Sequence, residues 1–562
     1  MYLRTTQRRN KDGSVVRYVQ LAHNRRAGKS TQAEVLVNLG REDHLDLDGL
    51  RRLARSINRY LGEGTAEAGA GDGKGLEVVA SRPLGTAWLV DGLWRQLGVG
   101  EALRGAVGGR RFTTDVERVL FALVANRAID PASKLAAAEW ATCDVVIPGL
   151  AGMDEDQAYR AMDVLVAGDA EAKVQEAVFF AVANLLNLEV DLLFFDTTST
   201  YFERDDEEPD GGFRRYGHSK DHRPDLPQVV IGLAVTREGI PVRIWTWPGN
   251  TSDAVILPEV KDGLRGWRLG RVVTVVDRGF SSDANLAYLT RAGGHWIAGE
   301  RMRDGSADAQ AALSRPGRYQ SVRDNLRVKE VKVGDGEGAR RFIVCHNPVE
   351  AERDRAKRDA AVARLEAELG RIAADRARAK AKKAKRRGDG EEGHRRAECA
   401  LRDHPTLSRY LRQLPNGRLV IDRAKVRAEE RLDGKFLLST SDPDLSAEDV
   451  ALGYKNLLEA ERGFRDLKST LELRPVFHRL EPRIRAHVLL CWLALLLIRV
   501  AERRTGMTWR RINTELSRLH EVILAGPAGH FAQTTVPTDT QRHILGALDI
   551  APPPRVTALQ PA

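Results

Sequence analysis

Cysteine is scarce in this chain of 562 residues: Cys143, Cys345, Cys399 and Cys491 are scattered, with no C-x-x-C pair among them. That spacing excludes a disulfide framework and a zinc knuckle. Long apolar runs are lacking too. The longest, residues 488–498, has eleven residues, well short of the roughly 20 that span a bilayer, and it reads as a buried helix. The basic start, MYLRTTQRRNK, lacks the apolar stretch and cleavage site of a secretory signal. A cytoplasmic protein without a membrane partner is therefore expected. Acids fall short of bases, 78 Asp plus Glu against 88 Lys plus Arg, leaving +10 and a pI near 9.4. This balance favours a polyanionic partner, nucleic acid first.

A chain of this length exceeds one simple core, and three to five structural units are expected. Residues 1–61 read as a small basic unit. Strand-like pieces at 15–21 and 33–39 flank a basic turn, and Leu47, Leu50, Leu53, Ile57 and Leu61 follow at helical spacing. The arginines on its other faces suit DNA contact or a solvated surface equally. Residues 62–83, rich in Gly, Ala and acids over 62–75, read as a flexible linker. Residues 84–186 are helical almost throughout. There 116–127, 129–133 and 134–140 outline a helix-turn-helix, an outline any helical hairpin shares.

The most informative stretch is VDLLFFDTTSTY, residues 190–201, an apolar run that stops on Asp196. Such runs suit a strand covered on both faces, and acids at strand ends stand where loops converge on ligands. Strands at 229–235 and 242–247 follow, joined by a hairpin with Gly239 at its turn. A helix over 255–267 leads to a fourth apolar strand, 271–277, which again stops on an acid, Asp277. A helix at 282–292 and a short strand at 295–298 complete the pattern.

Strand-strand-strand-helix-strand-helix-strand is the order of a ribonuclease H-like mixed α/β sheet flanked by helices, in which strands one and four are neighbours. Asp196 and Asp277 are thereby expected side by side. Two such carboxylates repel one another unless cations stand between them, and magnesium suits all-oxygen ligands.

The core, 187–300, is expected to resume at 436–505 after an insertion over 301–435. Within the insertion, residues 371–387 hold nine basic residues and one acid, Asp375, a local charge of +8. They include Lys380, Lys382, Lys383, Lys385, Arg386 and Arg387. Val362, Leu365, Leu369 and Ile372 precede this run as a seam, and Leu407, Leu411 and Leu414 are expected on the returning helix of a hairpin with a basic tip. A like-charge run gains from phosphate neutralisation.

After the re-entry strand at 435–440, Ser446 caps a helix expected to run unbroken through Lys468. Along it Tyr454, Glu461, Arg465 and Lys468 are spaced by seven, four and three, and share a face. Glu459 points about 200° away from Glu461. Residues 506–562 read as one more helix, 509–524, and a loose Pro- and Thr-rich end.

Together Asp196-Thr-Thr, GHSKDHRPDLPQ at 217–228, GNTSD at 249–253, VDRG at 276–279 and Tyr454-x2-Leu457-x3-Glu461-x6-Lys468 resemble the DDE transposases of bacterial insertion sequences. The group is the insertion sequence four family, in its sixteen-thirty-four branch, and the resemblance covers residues 84–503. It implies a ribonuclease H-like enzyme that binds the terminal inverted repeats of its element, cuts double-stranded DNA at the ends and joins them to a target. Further implications are two magnesium ions held by Asp196, Asp277 and Glu461, with manganese able to substitute, and no small-molecule cofactor.

By the same resemblance Lys468 and Arg465 grip a phosphate near the cut, Tyr454 positions that strand, and Trp296 is a platform for a flipped base. The expected protein is a homodimer at synapsis, acting in the bacterial cytoplasm at the nucleoid. The signature's Arg position is Leu457 here, with Arg465, on the correct face, as its substitute. A stand-alone nuclease of the same fold is one alternative. A DNA-binding protein without chemistry is another, and it would have lost at least one of the three acids; none is missing.

Overall fold

The computed structural model describes residues 2–9, 15–27, 30–60, 76–107, 114–203, 207–209, 211–267, 269, 271–303, 305–336, 339–383, 390–474, 476–526 and 529–561. The chain divides into two units that interleave along the sequence. One comprises Met1–Glu189, Thr197–Thr251 and Ala460–Ala562; the other comprises Val190–Asp196 and Ser252–Glu459.

In the second unit the first half of the Leu192–Tyr201 strand pairs in parallel with Val273–Val276, which pairs in parallel with His295–Glu300. The sheet continues antiparallel through Lys435–Thr440, Arg340–His346, Leu326–Val333 and Gln320–Arg323. Residues 301–435 thus extend the core sheet by three strands before they leave it. Leu192, Leu193, Phe194, Phe195, Val275 and Val276 are buried, each fully buried Leu or Phe contributing about 1.5 to 3 kcal/mol relative to exposure.

The insertion then forms two helices, Pro348–Lys383 and Gly390–Arg402, around a small core of Leu365, Ile372, Leu401, Leu407, Tyr410, Leu411 and Leu419. The seam through Leu365 and Ile372 is present as expected. The return differs: the second helix contributes Leu401, while Leu411 lies in a short strand, Leu411–Gln413, paired with Leu419–Ile421.

In the first unit, Gln228–Thr236 and Pro241–Pro248 form an antiparallel hairpin following Thr197–Tyr201. Leu192–Tyr201 lies beside the first strand of this hairpin in the sheet order, and strands one, four and five run parallel, the ribonuclease H-like arrangement. The helix Glu481–Thr505 holds the long apolar run and is buried along residues 486–501. Long and apolar enough to cross a membrane, it has 94% of its most apolar stretch inside the fold.

Two expectations on this unit are corrected. The tail is ordered: His520–Gly526, Gly529–Thr534 and Val556–Pro561 form a sheet with Glu77–Pro83, in a stretch expected to be linker; residues 61–75 lie outside the described residues. The N-terminal sheet has a third strand, Tyr2–Arg9, paired with Val15–Ala27. The helix-turn-helix outline exists as Val116–Ile129 and Lys134–Glu139. The first helix is buried on all sides, and the second exposes Leu135, Ala136 and Glu139, with no basic face.

Candidate active site

The first strand does not stop on Asp196 as expected but runs on to Tyr201; register still aligns the two acids. Phe195 lies opposite Val276 on the parallel neighbour, so Asp196 and Asp277, the next residue of each, stand level where the pairing of the two strands ends. Behind them the ring of Phe195 meets Phe280 edge to face at 5.5 Å. Phe280 closes the turn after Asp277 by donating its amide to the Asp277 carbonyl at 2.9 Å.

Tyr454 completes this constellation. Its hydroxyl donates to Asp277 Oδ1 at 2.7 Å. Burial pushes the phenol's pKa up, and the charge of Asp277, the hydrogen bond to it and the charge of Asp196 push it further. Tyr454 is therefore a neutral donor at any ordinary pH. Its approach depends on Gly299, because a Cβ there would collide with Tyr454 Oη and stand 3.2 Å from the Arg278 amide.

The strand beside Val273–Val276 also ends on an acid, Glu300, which the sequence did not single out. Arg340 donates to its Oε1 at 2.5 Å, as does the Ser439 hydroxyl. A cation thus already occupies this carboxylate. Trp296 is buried, 6% exposed, and its Nε1 donates to Thr290 Oγ1 at 3.1 Å. It is a core residue, which corrects its reading as a platform for a base.

The helix expected to carry Tyr454 and Glu461 together is two helices, Ala447–Lys455 and Leu458–Ser469. Between them Asn456 and Leu457 turn the chain, their amides donating to the carbonyls of Gly453 and Tyr454 at 3.0 Å each. Leu457, at the family's Arg position, is 7% exposed: an apolar side chain fills a buried place, so no cation contacts DNA from there.

Glu461, Arg465 and Lys468 belong to the first unit. The helix Leu458–Ser469 buries Ala460, Gly463, Phe464 and Leu467 and exposes Glu461, Arg462 and Arg465. Gly463 allows close packing, since a Cβ there would stand 2.7 Å from Leu233 on the Gln228–Thr236 strand. Lys468, on the same helix, is half-buried and already engaged. Its ammonium donates to Thr198 Oγ1 and Asp221 Oδ1, each at 2.7 Å. Asp221 lies in the GHSKDHRPDLPQ stretch, a segment the sequence marked without giving it a role.

Of the basic tip, Lys385, Arg386 and Arg387 lie outside the described residues, as do the side chains of Lys380, Lys382 and Lys383. Among the described residues no group of three His, Cys, Asp or Glu side chains is gathered closely enough to cage a metal. The level pair Asp196 and Asp277 nevertheless presents an all-oxygen donor set, which fits a hard divalent cation.

A ribonuclease H-like sheet with level aspartates on neighbouring parallel strands defines an enzyme of phosphodiester chemistry on nucleic acid. The family description "Transposase DDE domain" matches residues 191–497, 307 residues (497 − 191 + 1) and more than half of the chain. "IS1634 family transposase, N-terminal domain" matches residues 3–69. The chain belongs to the DDE transposases, in the IS1634 family, and is a DNA transposase.

Membership implies dependence on a divalent metal in general, and DNA is its partner. A solved structure, the cryo-EM structure of the piggyBac transposase synaptic complex with hairpin DNA, resembles 77% of this chain and 79% of its own at 10% identity, with a TM-score of 0.37. No curated protein matches.

Proposed function

We propose that this transposase acts on the terminal inverted repeats of its own insertion sequence, cutting at the ends and joining them to a target, with Asp196, Asp277 and Glu461 as the catalytic carboxylates. The observation that carries the reading is the level placement of Asp196 and Asp277 on neighbouring parallel strands, with a neutral phenol holding one of them. Glu461, exposed on a helix that Gly463 seats against the hairpin, is the third.

Magnesium is the ion we assign to these carboxylates, with manganese as a substitute. Bound there, it would supply Lewis acidity and lower the pKa of an attacking water or 3′-hydroxyl. The protein's own part is orientation. Tyr454 fixes one oxygen of Asp277, leaving the other to face a ligand, and the Phe195–Phe280 contact fixes the strand end beneath it.

Arg465, exposed one turn after Glu461, and Lys468 bind phosphate near the cut. The basic insertion tip and the N-terminal sheet, with Arg4, Arg8, Arg9 and Arg25 exposed, bind flanking duplex. Two ends are brought together by a homodimer.

The test uses purified protein, a duplex bearing the element's end, and magnesium. Alanine at Asp196, Asp277 or Glu461 is expected to abolish end cleavage with binding retained. Cleavage persisting in any of the three, with binding unchanged, overturns that residue's assignment. Short inverted repeats bracketing the gene are the expected genomic companion.

A further inference from the structure

The environment of Lys468 goes beyond a single ion pair. While Lys468 engages Asp221 Oδ1, Arg474 NH1 stands 2.8 Å from the other oxygen, Oδ2. The side chains are 10% (Asp221), 15% (Lys468) and 33% (Arg474) exposed. One nearly buried carboxylate thus orders two cations. Lys220, beside it in sequence, donates to the carbonyl and hydroxyl of Thr197 at 2.6 and 2.8 Å. Arg474 and Arg223 both stand over the Tyr201 ring, at 5.5 and 5.2 Å, and Arg223 is neutralised by Asp225 at 2.8 Å.

All of this surrounds Thr197–Tyr201, the residues that directly follow Asp196. Lys468, Arg474 and Asp221 sum to +1, and Lys220 makes +2, so the cluster stays cationic although its carboxylate is ion-paired through both oxygens. An ammonium has three donors and a guanidinium five, more than Asp221 and Thr198 take up here. Removing one partner of a buried pair strands the other charge, so Asp221 governs both cations at once.

We infer that Lys468 and Arg474, held on Asp221, form a seat for one DNA backbone phosphodiester, with Asp221 positioning both. This rests on the reading of Lys468 given above. It adds Arg474 as a phosphate ligand and Asp221 as a positioning residue. Burial lowers the Lys468 pKa, and Asp221 opposes that shift, while Arg474 and Lys220 reinforce it. The carboxylate thereby keeps the ammonium charged in a site that disfavours charge.

The experiment is single-turnover end cleavage by the full chain, with duplex affinity measured across a salt series. The variants are Lys468→Ala, Asp221→Asn, the double variant, Asp221→Glu and Arg474→Ala. Asp221→Asn is expected to slow cleavage about tenfold or more, the double variant to be no slower than Lys468→Ala, and Asp221→Glu to recover most of the rate. Arg474→Ala is expected to reduce the slope of log affinity against log salt by about one.

Losses that add in the double variant, with Lys468→Ala itself impaired, overturn the positioning role alone. An unimpaired Lys468→Ala removes the reading of Lys468 and the seat with it. If Asp221→Asn does not fold, Arg474→Ala decides: an unchanged salt slope overturns the seat.

Discussion

Asp277 and Glu300 end neighbouring parallel strands of one sheet, and their partners set them apart. Val276 lies opposite Ala298, so Asp277 is level with Gly299 and Glu300 lies one residue beyond, its side chain on the opposite face from position 299. Asp277 receives a neutral hydroxyl; Glu300 receives a guanidinium and a serine. An acid whose hydrogen bonds come from uncharged donors keeps its full negative charge for a cation still to come. An acid already paired with arginine is a strut. Position at a strand end does not by itself make a ligand.

The largest effects test that distinction directly. Asp277→Asn and Glu461→Gln are each expected to slow end cleavage on the order of a thousandfold, about 4 kcal/mol of barrier, with DNA affinity kept; Glu459→Gln is expected to change it by less than about threefold. A slow Glu459→Gln beside an active Glu461→Gln would overturn the choice of acid. Next, Gly299→Ala should push Tyr454 off Asp277 and cost about 10- to 100-fold, as loss of a partner that orients a metal ligand does. Tyr454→Phe should match it, and a mismatch would show that the glycine serves something other than the tyrosine.

Smaller effects come from pH. His478 and His487 are buried neutral in the first unit. Burial chiefly lowers both pKa values, that of His478 to about 3, and nearby Lys134 and Arg127 add to it. His487 accepts from Lys134 at 3.4 Å and donates to the Leu473 carbonyl at 3.0 Å. Unfolding lets both histidines take up protons below about pH 6.5, so stability is full above that value and lost as pH falls beneath it. Between pH 6.5 and 5 each should cost roughly 2 kcal/mol, read as a falling midpoint of denaturant unfolding; a flat profile would show these histidines to be hydrated. The smallest effect on chemistry is Glu300→Gln, expected to leave cleavage within about threefold while lowering stability by about 1 to 3 kcal/mol, since Arg340 loses its buried partner. A cleavage loss as large as that of Asp277→Asn would erase the contrast between the two acids.

The strands that carry Asp196 and precede Asp277 were legible because burial on both faces leaves an unbroken apolar run before the acid; that the first runs on through Thr197–Tyr201 was not, since hydroxyl residues read as a turn. The break at Asn456–Leu457 was not, because the spacing of Tyr454, Glu461, Arg465 and Lys468 continues one helical face across it and neither Gly nor Pro marks the turn. Trp296 was misread because an aromatic on a strand says nothing of which face it takes. Nothing in the sequence around Asp221 shows its role, since its partners Lys468 and Arg474 come about 250 residues later (468 − 221 = 247; 474 − 221 = 253). The C-terminal sheet escaped notice for a similar reason. The side chains of His520–Gly526 are all half-exposed, so no alternation shows, and the partner of that strand lies at the other end of the chain.

That last pairing also sets a clock on synthesis. Pro83 bonds opposite His520, 437 residues later (520 − 83). At roughly 5 to 20 residues per second of translation, the Glu77–Pro83 strand, with Val78 and Val79 exposed, waits about 20 to 90 s for its partner. A chain that stops before the final hairpin leaves this edge uncovered and its unit unfinished. Interrupted synthesis therefore leaves the backbone of Glu77–Pro83 without the strand that pairs with it.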